Sequence, residues 1–327
     1  MGSISEDIRL ELLRQHGSFP IAYSVAFQPG LRHFGDEKGF MAYKMVGRTA
    51  FVLADPVAEP DHHEALIDGF LARHSDVVFC QVSLKTAEIL SKRSFFVNDF
   101  GCESIVDLKR FSFRGPQLRS YRTASNRLTA RGYKVSETPA GDFNPADLQA
   151  ISQAWKSTRV ARNRDLRFLV RPVVLADEPG VRKFFLLNSD GAPEGFAVFD
   201  PVYEKGQPTG YLSATRRWLP TSDPLAAYFM VRTAIETFQA EGVAHLHLGL
   251  SPFHKIEDRT FEKNWLVRRG FRWMYTNSLI NRFVYPFQSL VRHKTSYGGE
   301  DRQTYYAFNT LPSLPRLLKL MWVCRLV

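Results

Sequence analysis

The chain has 327 residues, 44% of them hydrophobic, the make-up of a globular protein long enough for two domains. No apolar run approaches the roughly 20 residues that cross a bilayer, and the start, Met-Gly-Ser-Ile-Ser-Glu-Asp, lacks a signal-peptide pattern. A formal net charge of +10 says nothing about fold but attracts polyanions: nucleic acid, an anionic membrane face or phosphorylated ligands.

In chain order, residues 4–15 read as a short amphipathic helix, and Ile21–Phe27 and Phe40–Val46 as strands. Gly47-Arg48 is a tight turn, Thr49–Leu53 the returning arm, and Asp55-Pro56 closes it. Asp61–His74 reads as a helix, Val77–Val82 as a buried strand, Leu84–Lys92 as a second helix and Ser104–Leu108 as another strand. The three cysteines form no CxxC pair. Cys80 and Cys324 lie in apolar surroundings, and a reducing cytoplasm fits that usage.

Gln117–Arg131 is the most charged element. Leu118, Tyr121, Ser125 and Leu128 share one helical face; Arg119, Arg122, Asn126, Arg127 and Arg131 share the other. Four arginines and no acidic residue in fifteen positions suit a phosphate-contacting helix better than a merely solvated one, which mixes signs. Ser136–Asn144 reads as a linker, followed by a helix over Pro145–Trp155. Lys156–Arg171 is basic and irregular, with six basic residues and one acidic, and reads as a loop over the site. Arg182–Asn188 and Gly195–Asp200 form a strand pair across Ser189-Asp190-Gly191. Val202–Thr209 reads as a polar connection.

The stretch that organises the second half is Val243–His254. Its alternation of Ala244, Leu246, Leu248 and Leu250 with His245, His247 and Gly249 is that of a half-buried strand, ended by Ser251-Pro252. Before it lie a strand at Gly210–Ala214, a basic loop at Thr215–Asp223 and a helix from Asp223 to Glu241, with Asp223 as N-cap, Pro224 at the first position and Gly242 as C-cap. Ligands gather where strands meet helix N-termini, so the function is sought around Thr215–Asp223 and Gly249–His254. Phe271–Ile280 and Tyr305–Phe308 read as late strands. Leu311–Val327 is apolar and expected to pack on its own domain. His245 and His247 share a strand face but find no further ligand except His254, so no metal is expected. GxxxxGK[ST], GxGxxG, GxSxG and HExxH are absent.

Strand, loop and capped helix resemble the acyltransferase fold of the GNAT superfamily. Acetyl-CoA users of that fold hold the diphosphate on a glycine-rich loop. The equivalent Arg216–Asp223 contains no glycine, which favours an anionic donor other than coenzyme A. A wider resemblance covers most of the chain. Gly39-Phe40-Met41-Ala42-Tyr43 with Leu53-Ala54-Asp55-Pro56-Val57 resembles the hairpin of the C-terminal domain of phosphatidylglycerol lysyl/alanyltransferases (the MprF-type synthases, DUF2156). Gly101-Cys102-Glu103-Ser104, Asp107-Leu108, Phe111-Ser112 and Gly115, followed by Arg119, Arg122, Asn126-Arg127 and Gly132-Tyr133, is similar to that family's next block. Leu248-Gly249-Leu250-Ser251-Pro252 resembles its Leu-Gly-Met-Ala-Pro segment. Tyr285–Leu290 with Lys294-Thr295-Ser296-Tyr297 resembles its ending. Ser213 stands where the family has an aspartate, Ser296 where it has a second lysine, and Thr304 where an arginine precedes the final tyrosine.

The resemblance implies an α/β (α+β) fold of two tandem GNAT-like domains, 1–138 and 139–327, each a mixed twisted sheet flanked by helices. It implies transfer of an aminoacyl group from aminoacyl-tRNA to a phosphatidylglycerol-like lipid or a small hydroxyl or amine acceptor. Aminoacyl-tRNA is then a co-substrate and no cofactor is needed. The expected place is the cytoplasm or the inner membrane face, with tRNA and anionic lipid as partners and DNA not among them. Two alternatives are an acyltransferase using a coenzyme A thioester on the same fold, and a non-catalytic module binding acidic lipid or RNA. Arg216 and Lys294 are the expected charge stabilisers and contacts for the tRNA 3′ end, with His247 or Asp223 as base. Arg119, Arg122 and Arg127 are expected to meet phosphates. Arg217, Gly249, Ser251, Tyr297 and Tyr305 complete the expected substrate-binding set.

Overall fold

The computed structural model describes residues 4–159, 167–310 and 314–325. Arg162, Arg164 and Asp165 of the basic stretch lie outside the described residues, as do both ends of Leu311–Val327.

The first half runs α1 (Glu6–His16), α2 (Ala22–Phe27), β1 (Arg32–Asp36), β2 (Gly39–Val46), β3 (Thr49–Ala58), α3 (His63–Leu71), β4 (Val77–Val82), α4 (Leu84–Ser91), β5 (Phe96–Asp107), α5 (Arg119–Ala130) and β6 (Lys134–Glu137). The second runs α6 (Pro145–Ser157), β7 (Arg182–Leu187), β8 (Pro193–Glu204), β9 (Gln207–Trp218), α7 (Ala226–Ala240), β10 (His245–Pro252), α8 (Trp265–Thr276), α9 (Ser278–Phe283), α10 (Phe287–Thr295), β11 (Glu300–Phe308) and α11 (Leu314–Val323).

All eleven strands join one mixed sheet in the order β1-β2-β3-β4-β11-β5-β10-β9-β8-β7-β6. Each half contributes an antiparallel meander, β1-β2-β3 and β7-β8-β9, whose last strand pairs in parallel with the next, β4 or β10. Strands β5 and β11 lie antiparallel at the centre, with β11 inserted between β4 and β5. The two halves are therefore related by a repeat of topology about the β5–β11 seam. Helices cover both faces. α3 and α4 pack on Val52, Phe79 and Val97, and α5 and α7 on Phe199, Tyr211 and Leu246. On the opposite face α1 and α2 pack on Phe51, Leu53 and Tyr306. Leu320, Val323 and Cys324 join this last core, and α11 lies on β2 with Lys319 donating to Thr49, so the described part of the C-terminal segment packs on the first half and not, as expected, on its own; Cys80 and Cys102 are also buried.

Several expectations are corrected. Ile21–Phe27 contains a helix, because Ala22–Ala26 are buried on every side and a fully buried helix turn has no polar face to reveal its period. Phe271–Ile280 is helical: Asn264 caps α8, and Val267 and Phe271 lie four residues apart on its buried face. Val202–Thr209 is a hairpin, with β8 and β9 continuing to a two-residue turn at Lys205-Gly206, both at positive φ. The supposed loop from Thr215 is strand as far as Trp218, held by β8. Asp223 is not the N-cap of α7; that position is Leu225, whose N–H the Asp223 carboxylate accepts at 2.9 Å in an Asx turn. The start of the supposed linker pairs as β6 on β7. Strand β1 has no counterpart in the sequence reading.

Candidate active site

In the second half β9 and β10 pair only over Gly210–Leu212 and His245–His247. Beyond that β9 stays on β8, through Arg216 opposite Ala197, while β10 shifts register between His247 and Leu250 and follows β5. Gly249, at φ +71°, makes the bulge; left-handed backbone costs a glycine little. The first half repeats the device. β3 and β4 pair over Ala50–Leu53 and Val77–Cys80, β11 steps from Val82 to Cys80, and the skipped Gln81 has φ +60°. Each half thus has a parallel pair that parts next to a bulge.

Lys294, from α10, reaches the second bulge. Its Nζ donates to the carbonyls of Gly249 (2.9 Å) and Leu250 (2.6 Å), which uses two of its three N–H groups among the described residues. Burial pulls this ammonium down to about 7 against the raising pull of Glu103; Arg216 lowers it further and Asp301 raises it. From the first bulge, Gln81 Nε2 donates to Glu103 Oε1 at 2.6 Å. Burial pushes Glu103 up to about 7, opposed by the Gln81 hydrogen bond; Asp55 adds to the rise while Lys294 and Arg302 counter it. The Gln81 Oε1 atom is buried with no hydrogen-bond partner among the described residues. Glu103 stands on β5 opposite Leu250, whose carbonyl holds Lys294, so an acid and a base, each moved toward neutrality, lie on neighbouring strands where the two halves join.

A cationic wall adjoins them. Arg216 Nη1 and Nη2 both lie 3.2 Å from His293 Nε2. Burial lowers His293 to about 4, with Arg216 and Lys294 adding to the fall, so the ring is neutral at pH 7 and accepts. Arg216 also hydrogen-bonds Tyr297, whose hydroxyl is shared with that of Tyr121. Arg159 lies over the rings of Trp155 (4.4 Å) and Trp218 (5.2 Å), its pKa lowered by burial and then by Arg216.

Of the residues expected from sequence, Arg216, Lys294, Gly249 and Tyr297 are brought together here. Ser251 is buried on β10 opposite Cys102. Arg217, on the other side of β9, is buried with its guanidinium on Ser152 Oγ and over the Trp155 ring. Asp223 is buried and ion-paired to Arg127 (2.9 Å) and Arg131 (2.8 Å), tying α5 to the start of α7. Arg122 donates to the carbonyls of Phe113 and Gly115, and Arg119 is exposed on α5. His247 is lowered to about 3 by burial, with His245 and Arg302 adding, and so weak a base holds no proton near pH 7. Tyr305 packs against Phe261 in the core under α4. Glu103, Gln81 and His293 were not singled out from sequence. The available signal for Glu103 was the one charged residue in Phe100–Val106, a type seldom buried without a purpose.

Two halves of repeated topology, each with a parallel strand pair opened by a bulge, define a mixed α/β fold in which one strand arrangement occurs twice in a single sheet. Within that class the chain belongs to the family of the phosphatidylglycerol lysyltransferase C-terminal domain, whose family model matches residues 10–308. It is 24% identical over 307 residues to a phosphatidylglycerol lysyltransferase of Staphylococcus aureus (strain MRSA252), across 89% of this chain and 34% of that relative. The chain thus spans about a third of the length of the curated relatives it matches. Among solved structures it is similar to L-PGS from Bacillus licheniformis, with a TM-score of 0.75 at 17% identity, covering 98% of this chain and 97% of that one. The C-terminal domain (DUF2156) of an Agrobacterium fabrum protein gives a TM-score of 0.74 at 17% identity, covering 97% and 96%.

Proposed function

We propose that the chain moves an aminoacyl group from aminoacyl-tRNA to a hydroxyl of phosphatidylglycerol or a similar lipid, and that residues 1–138 and 139–327 are its two GNAT-like units. The observation that carries the reading is Lys294 held on the β10 bulge at Gly249 and Leu250, with Glu103 on β5 opposite Leu250, Gln81 of the β4 bulge on the Glu103 carboxylate, and Arg216 on the neighbouring His293. The acceptor hydroxyl oxygen attacks the ester carbonyl of the aminoacyl group. A new carbon–oxygen bond forms, and the bond to the ribose oxygen at the tRNA 3′ end breaks. Glu103 takes the hydroxyl proton and returns it to the departing ribose oxygen. The free N–H of Lys294 and the Arg216 guanidinium hold the carbonyl oxygen as it gains charge. Arg159 and Arg119, on the same basic second half and on α5, meet phosphates of the carrier.

The turn after β9, residues 219–223, contains no glycine and offers no backbone cradle for a diphosphate, which weighs for a tRNA carrier over a coenzyme A thioester. The test is incubation of purified protein with a set of charged tRNAs and phosphatidylglycerol, following labelled amino acid into the lipid phase. Transfer of label supports the reading. Label that stays on every tRNA, with thermal stabilisation by coenzyme A instead, would sink it.

A further inference from the structure

The connection from β4 to β5 takes 13 residues, 83–95, and holds the single helix α4; its counterpart from β10 to β11 takes 47, 253–299, and holds α8, α9 and α10. Only α10 among these carries a residue of the active site. The added helices have unusual surfaces. Residues 263–299 contain seven Lys and Arg and no Asp or Glu. On α8, Trp265, Arg269, Arg272 and Trp273 share the exposed face, opposite the buried Val267 and Phe271. On α9, Leu279, Arg282 and Phe283 are all exposed and no residue is buried. Trp265, Leu266, Trp273, Leu279 and Phe283 are between 51% and 64% exposed, in a protein with eight large exposed hydrophobics among the described residues.

A solvated helix turns charged and polar side chains to water, and its large apolar residues go to the core. Here tryptophan, leucine and phenylalanine stand outside, interleaved with arginine. That pairing suits one environment, the boundary of an anionic bilayer, where aromatic rings sit at headgroup level and arginine meets lipid phosphate. We propose that α8 and α9 dock the protein on an anionic lipid surface. Asn277 caps the end of α8 and the start of α9, and the chain then passes straight into α10 and Lys294, so docking holds the active site next to the leaflet. The proposal takes from the transfer reading only the reason for such docking; the binding itself stands apart from the reaction.

The test is flotation of the full chain with phosphatidylcholine vesicles with and without phosphatidylglycerol, beside transfer to a short-chain, fully soluble phosphatidylglycerol. The chain is expected to float only with the anionic vesicles. Trp265→Ser with Trp273→Ser is expected to weaken flotation by about tenfold or more, since each buried ring contributes more than a tenfold factor. Arg269→Glu with Arg282→Glu is expected to abolish the preference for anionic lipid. All four positions are exposed, so the melting temperature stays unchanged, and transfer to the soluble lipid persists. Undiminished flotation of both variants overturns the proposal. So does a wild-type dimer that the tryptophan variant dissociates, or loss of tRNA binding in place of vesicle binding. Absence of transfer from every form, with flotation behaving as expected, would overturn the reaction and leave the docking.

Discussion

At Lys294 and Glu103 burial drives two opposite charges toward the neutral form, and each still stabilises the charge of the other. The direction of each shift sets a pH dependence. Glu103 acts as a base only when ionised, so activity rises as pH climbs through about 7. Lys294 stabilises an oxyanion only when protonated, so activity falls above about 7. The two groups titrate together, and the profile of kcat/KM is expected to be a narrow bell centred near neutrality. Lys294→Arg keeps the charge at all accessible pH, so its residual activity is expected to lose the alkaline limb. An alkaline limb that survives in this variant would assign it to another group. Lys294 and Arg216 were legible in the sequence because short motifs carry them. Glu103 was not, although it stands in one of those motifs. Its meaning depends on Gln81, twenty-two residues away, and on Lys294, both placed by folding alone.

At the scale of elements, the β10 bulge does two jobs. It parts β10 from β9, and it turns the carbonyls of Gly249 and Leu250 toward Lys294. A Cβ on Gly249 would lie 3.3 Å from Leu212 Cδ1 and 3.9 Å from Lys294 Nζ, in a backbone conformation that costs an L-residue about 1–2 kcal/mol. Gly249→Ala is therefore expected to lower stability in urea by about that amount, with a loss of transfer rate larger than the loss of folded protein. A rate that merely tracks the folded fraction would show that the bulge does not aim Lys294. The alternation of Val243–His254 announced this strand, but not its bulge. The helix within Ile21–Phe27 reads as a strand because a short apolar run looks alike in a buried helix and a buried strand. α8 was misread for a related reason: its exposed face carries tryptophans, which blurs the polar side of the helical period.

For the whole molecule, the sheet order means that neither half closes its own sheet. β11, near the end of the chain, fills the space between β4 and β5. Residues 1–138 made alone would leave the facing edges of both strands unpaired, and unpaired edges associate. That fragment is expected to be unfolded or aggregated, and the full chain to unfold in one cooperative step by circular dichroism. A soluble, folded 1–138 fragment would show that the halves are separable. The duplication was hinted at by two series of strands and helices, but the crossing of β11 into the first half was invisible, since no local pattern specifies a partner about two hundred residues away. The same crossing is what brings Gln81, Glu103 and Lys294 to one place. The most direct measurement is thus single-turnover transfer of labelled amino acid from tRNA to phosphatidylglycerol by the wild type, Glu103→Gln and Lys294→Met, with melting temperatures taken on the same samples. The wild type is expected to transfer, and both variants to stay folded and fall by about a hundredfold or more; folded variants that transfer at the wild-type rate would contradict the account.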